Sequence, residues 1–156
     1  EDYEKDPLLE APRQYGIGQT HKHLPEMSKI CKIDNAPAFI PVVGDFYSGM
    51  AVTVPLHSSL MKKKLTTSEL HEYFSEYYAS CRLISVKPLC EKGTEDGFLY
   101  TNSLSGKDSM EIIVCGCDER PQICALFCNL GKGASGAAIQ NMNLVLGVDE
   151  CSGLVL

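Results

Sequence analysis

Gly131, Gly133 and Gly136 set the tightest limit on what this chain can fold into. They spell GxGxxG, a pattern that lets backbone approach a pyrophosphate where a strand turns into a helix. The apolar run 123–130 supplies a strand and residues 134–146 a helix. A complete βαβ unit cannot follow. Only 20 residues remain after Gly136, and the acids that would read a ribose, Asp149 and Glu150, come about 13 residues on, where roughly 20 are expected. A self-contained dinucleotide fold is therefore excluded. Two readings stay open for Gly133, Ser135 and Gly136. Their backbone amides can meet an anionic ligand at a helix start, or their small size can permit close packing of helix on sheet. Gln140 and Asn143, three apart on one helical face, can hold a carboxamide or cap neighbouring loops.

The chain has 156 residues, enough for one domain with a real core. A formal charge of −6 argues against nucleic acid or an anionic membrane as partner, because an acidic surface gains nothing from counterion release. No apolar run approaches the ~20 residues that span a bilayer, and no charged-then-apolar leader opens the sequence. Residues 1–14, acidic and holding two prolines, read as a connector to something longer, with a single domain over 15–156.

The periodicities alternate between strand and helix. Pro25–Met27 is expected to open a helix, since proline suits a first turn. Residues 38–43 and 50–56 read as strands. Thr66 and Glu69 form a capping box ahead of Leu70, Tyr73, Phe74 and Tyr77, spaced three and four apart as on a helix face. Residues 83–86 read as a short strand and 90–109 as loop or insertion. Residues 110–117 and 122–130 read as a hairpin turning at 118–121, with Cys115 opposite Cys124. His57 and His71 read as surface or capping residues. Four or five strands with three helices give an α+β domain, a mixed and largely antiparallel sheet with helices on one face. The other face needs a cover, which a second copy supplies most naturally.

Eight cysteines lack the CxxC spacing of a zinc site, and no metal site is expected. They read as small apolar thiols filling a sheet face, in a reducing cytoplasm.

The chemistry concentrates between Tyr15 and Glu26. His21-Lys22-His23 places two near-neutral bases two residues apart, followed by Pro25-Glu26. This block, Tyr-x5-His-Lys-His-x-Pro-Glu, and the stretch Asn129-Leu130-Gly131-Lys132-Gly133-Ala134-Ser135-Gly136 with Gln140, Met142, Asn143 and Leu144 resemble two motifs of the N-acetyl-γ-glutamyl-phosphate reductases. They stand in the same order, more than 100 residues apart.

The resemblance implies the catalytic and dimerisation domain of an NADP-dependent reductase of arginine biosynthesis, similar in fold to the C-terminal domain of glyceraldehyde-3-phosphate dehydrogenase. That enzyme type acts on a small acyl phosphate through a cysteine thioester and assembles as a homo-dimer or homo-tetramer. By the same resemblance His23 is the acid/base, Glu26 its orienting carboxylate, and Tyr15, His21 and Lys22 line the substrate pocket. Gly133, Ser135, Gly136 and Asn143 would touch a cofactor held mainly by an N-terminal domain outside this chain. The family nucleophile follows Asn-Pro-Gly, and none of the eight cysteines here does. A family His and Arg are replaced by Val42 and Ser48, which leaves the substrate contacts open. Two other readings remain: a non-catalytic assembly domain, and a reductase of a related acyl phosphate such as a lysine-pathway analogue.

Overall fold

The computed structural model describes residues 6–90 and 94–156. The chain divides into two compact units, one ending at Phe46 and the other beginning at Tyr47, and each is described by itself.

The first unit holds α1 (Pro7–Glu10), β1 (Arg13–Gln14), α2 (His23–Cys31) and β2 (Val42–Val43). Residues 1–5 of the expected connector lie outside the described residues; the rest is structured. Asp6 accepts from the Leu8 amide to cap α1. β1 pairs antiparallel with β2, Arg13 opposite Val43, and the Tyr15 amide continues the ladder to the Pro41 carbonyl at 3.0 Å. The strand expected over 38–43 shrinks to two residues. Pro37 and Pro41 carry no amide hydrogen, and the backbone of Phe39 bonds to the Gln19 side chain instead of a neighbouring strand. Helix α2 starts at His23 rather than Pro25. Pro25 then falls within the first turn, where amide groups have no intrahelical partner to lose.

The second unit is built on a four-stranded sheet: β3 (Met50–Pro55), β4 (Ile84–Val86), β5 (Met110–Cys117) and β6 (Arg120–Phe127), ordered β3-β6-β5-β4. Only β4–β5 is parallel, so the sheet is mixed and largely antiparallel. The hairpin turns on two residues, Asp118-Glu119, not four. Gly116, at φ +90°, permits this, because a Cβ there would strike the Arg120 carbonyl. The register corrects the expected pairing: Cys115 faces Gln122, and Cys124 faces Ile113. The offset is two residues, so both thiols keep a common face.

That face is the core. Cys124, Ile113 and Leu126 pack with Leu104, joined by Ala51, Leu99 and Cys115. The segment read as a loop over 90–109 thus covers one side of the sheet through Leu99 and Leu104; its residues 91–93 lie outside the described residues. Cys124 is 0% exposed. Burial and the neighbouring Cys124 push the Cys115 thiol up to about 11, which keeps it a protonated packing group. Burial also acts to raise Cys128, but the amides of Gly106, Gly131 and Leu130 and the Ser48 hydroxyl outweigh it and hold this thiol below its usual range.

The opposite face carries Met50, Val52 and Val54 on β3, Ile123, Ala125 and Phe127 on β6, and Ile112 and Val114 on β5. Helix α3 (Thr67–Tyr77) packs on β4 and β5. Its capping box is complete: the Glu69 amide donates to Thr66 Oγ1, and the Thr66 amide donates to the Glu69 carboxylate. Asp118 accepts from the Thr67 amide and hydroxyl, tying the hairpin turn to the helix start. Ile112 and Val114 are buried, whereas Met50, Val52 and Val54 are exposed. Among the described residues no helix is long and apolar enough to cross a membrane.

Candidate functional site

Four of the expected site residues meet in the first unit. Gly16, at φ +61°, reverses the chain after Tyr15, and the Gln19 amide closes the turn onto the Gly16 carbonyl at 3.0 Å. This brings Tyr15 back against His21, ring centroids 5.7 Å apart and edge-on. His21 and His23 lie 4.6 Å apart, also edge-on. The His23 amide donates to Nδ1 of His21 at 3.2 Å, so the neutral form of His21 carries its proton on Nε2. His23 opens α2, and one turn later Glu26 brings its Oε2 to 4.0 Å from His23 Nε2. The two side chains are 49% and 61% exposed. At that separation the pair attracts through space without a direct hydrogen bond. Lys22 is exposed beside them, in helical conformation just before α2.

The motifs did not single out Gln19, which lies within the variable stretch between Tyr15 and His21, and gave Phe39 no place beside the histidines. The Phe39 ring lies 5.0 Å from His21 and 6.0 Å from His23. Among the described residues no group of three or more side chains could hold a metal ion.

The second set of expected residues sits in the other unit. Gly131–Ser135 forms a π-helical turn that runs directly into α4 (Gly136–Leu146). The amides of Gly133 and Ser135 donate to the carbonyls of Cys128 and Leu130, and that of Gly136 to Gly131. Those three donors are consumed inside the turn. Asp108 fills the space the glycines leave: a Cβ on Gly136 would collide with its carboxylate, and one on Gly131 would meet the Lys107 carbonyl. The residues present therefore do not fit a pyrophosphate cradle.

Asn143 is 4% exposed, and its amide nitrogen donates to the carbonyls of Glu150 and Ser152 at 3.1 and 2.9 Å. Gln140 bridges Lys132 Nζ and the Glu150 carboxylate. Both amides hold the chain's own C-terminal turn. Ser48, in the family's arginine position, is buried and bonds Ser105, while Val42 lies exposed in β2. His57 accepts from the Ser59 amide to cap the 3₁₀ turn Ser58–Leu60, and His71 bonds the Lys87 carbonyl.

Comparison with known proteins agrees with this architecture. The N-acetyl-gamma-glutamyl-phosphate reductases of Brucella ovis, Brucella canis and Brucella abortus are each 42% identical to this chain over 135 residues, covering 85% of it. The chain spans only 43% of the length of these relatives. The family model described as semialdehyde dehydrogenase, dimerisation domain, matches residues 2–129, which hold the histidine cluster and all four strands of the larger sheet. The chain belongs to the semialdehyde dehydrogenase dimerisation-domain family.

Proposed function

We propose that the chain is the acid/base and dimerisation portion of an NADP-dependent reductase that converts N-acetyl-γ-glutamyl phosphate to its semialdehyde in arginine biosynthesis. The observation that carries this reading is the gathering of Tyr15, His21, His23 and Glu26 on one small scaffold. A domain that only assembles subunits has no use for it. The Brucella relatives bear the corresponding enzyme name.

His23 is the acid/base, exposed enough to exchange protons with a substrate and attracted to Glu26. Tyr15, His21 and Lys22 offer the substrate a phenol, an Nε2–H donor and an ammonium, groups suited to a carboxylate and a phosphate. The thiol that takes the acyl group lies outside this chain. NADP supplies the hydride when bound, and its pyrophosphate contacts also lie elsewhere, since the GKGASG amides are spent. Gly133, Ser135, Gly136 and Asn143 then serve the cofactor indirectly, by shaping a helix whose Met142, Leu144, Val145 and Leu146 remain exposed for another domain. The enzyme works as a homo-dimer or homo-tetramer in the cytoplasm.

In the full-length protein His23→Ala should lower kcat by roughly 10²–10⁴, the usual worth of general acid–base catalysis. Steady-state kinetics with N-acetylglutamate semialdehyde, phosphate and NADP checks this, and a near-normal kcat removes His23 from the reaction.

A further inference from the structure

We infer that Gln19 is a positioning residue for His23, acting through Phe39; the inference rests on the catalytic role given to His23 above. An imidazole that moves protons must be held in one attitude, and a carboxylate commonly does this through a hydrogen bond. Here Glu26 stands 4.0 Å from His23 Nε2, too far for that bond. The ring is instead flanked by His21 at 4.6 Å and Phe39 at 6.0 Å, both edge-on. Phe39 also packs against His21 at 5.0 Å, so one phenyl ring bears on both histidines.

Phe39 lies in an irregular segment between Pro37 and Pro41 with no strand partner of its own. Gln19 takes the place of that partner. Its Nε2 donates to the Phe39 carbonyl at 2.7 Å, and its Oε1 accepts from the Phe39 amide at 2.9 Å. One side chain thus satisfies both backbone groups of a residue twenty positions away, as a neighbouring strand would. Gln19 does this from φ +54°, a left-handed conformation that residues with a side chain adopt at a cost. Glycine would suit the backbone better, and only the side chain's clamp on Phe39 explains the glutamine.

Gln19→Gly is the deciding variant, because it relieves the backbone while removing the clamp, so the fold is retained. In NMR spectra of the 156-residue chain, Gln19→Gly should lose the nuclear Overhauser contacts from Phe39 to the His21 and His23 ring protons. In the full-length protein it should lower kcat about 10–100-fold with KM unchanged, as small displacements of a catalytic group do. Retained contacts overturn the inference. So does a normal kcat in Gln19→Gly when His23→Ala is inactive. If His23→Ala itself keeps normal kcat, the catalytic reading falls, and this one falls with it.

Discussion

At the scale of single residues, environment separates groups that look alike in the sequence. The eight cysteines divide by access: Cys31, Cys81 and Cys117 are exposed, whereas Cys124, Cys128 and Cys151 are buried. Cys115, half-buried, is held protonated by burial and by Cys124. Thiol titration with a disulfide reagent near pH 8 should therefore label the three exposed cysteines quickly. Cys115, Cys124, Cys128 and Cys151 should react only on unfolding, and fast labelling of Cys124 would mean the sheet face is open. Glu69 is held below the usual carboxylate range, first by the Thr66 amide and then by its hydroxyl. A depressed carboxylate contributes stability above its unfolded pKa and loses it as pH falls through the lower folded value. Thr66→Ala should accordingly cost about 1 kcal/mol in urea unfolding at pH 7, with the difference narrowing in acid. The histidine pair was legible because Tyr15, His21, His23 and Glu26 form a compact motif. Gln19 was not, because a bond to backbone twenty residues away leaves no periodic trace.

At the scale of elements, the sequence told most where local rules act alone. The capping box of α3 and the existence of β3, β4, β5 and β6 could be read from spacing and β-branched runs. The strand over 38–43 failed because two prolines removed ladder donors. The hairpin register slipped by two because Gly116 admits a tighter turn than Asp118-Glu119-Arg120-Pro121 suggested. The GKGASG stretch misled in a more instructive way. Its glycines answer to Asp108, whose carboxylate also accepts from the Val155 amide, pinning the C-terminal tail beside the helix start. Gly136→Ala should destabilise the fold by about 1–3 kcal/mol through overpacking, measured by chemical denaturation. The isolated chain should show no saturable NADP binding below the millimolar range in calorimetry; micromolar binding would restore the phosphate-cradle reading.

At the scale of the whole molecule, coverage governs behaviour. In the larger unit Leu99 and Leu104 close one sheet face, while Met50, Val52 and Val54 stay exposed on the other, Val52 to 43%. Apolar β-branched residues on an open sheet face favour association with an identical surface. The 156-residue chain should sediment as a dimer or larger at micromolar concentration, and Val52→Asp should shift it toward monomer. A clean monomer for the unaltered chain would remove the assembly role. The same chain should show no turnover with semialdehyde, phosphate and NADP, since it holds an acid/base but no Pro-Gly-Cys nucleophile.

The π-helical turn at Gly131–Ser135 also sets the phase of everything after it. Each residue of an α-helix advances its side chain by about 100°, and a π turn takes up one residue more than an α turn would. Deleting a single glycine there, so that the turn closes as ordinary α-helix, would rotate all of α4 by about that angle. Asn143 would swing off the carbonyls of Glu150 and Ser152, and Leu144 and Val145 would trade directions with their neighbours. Insertions and deletions in these five residues should therefore do more damage than any one substitution in the helix itself. The turn acts as the spacer that decides which side of α4 the rest of an assembled enzyme can read.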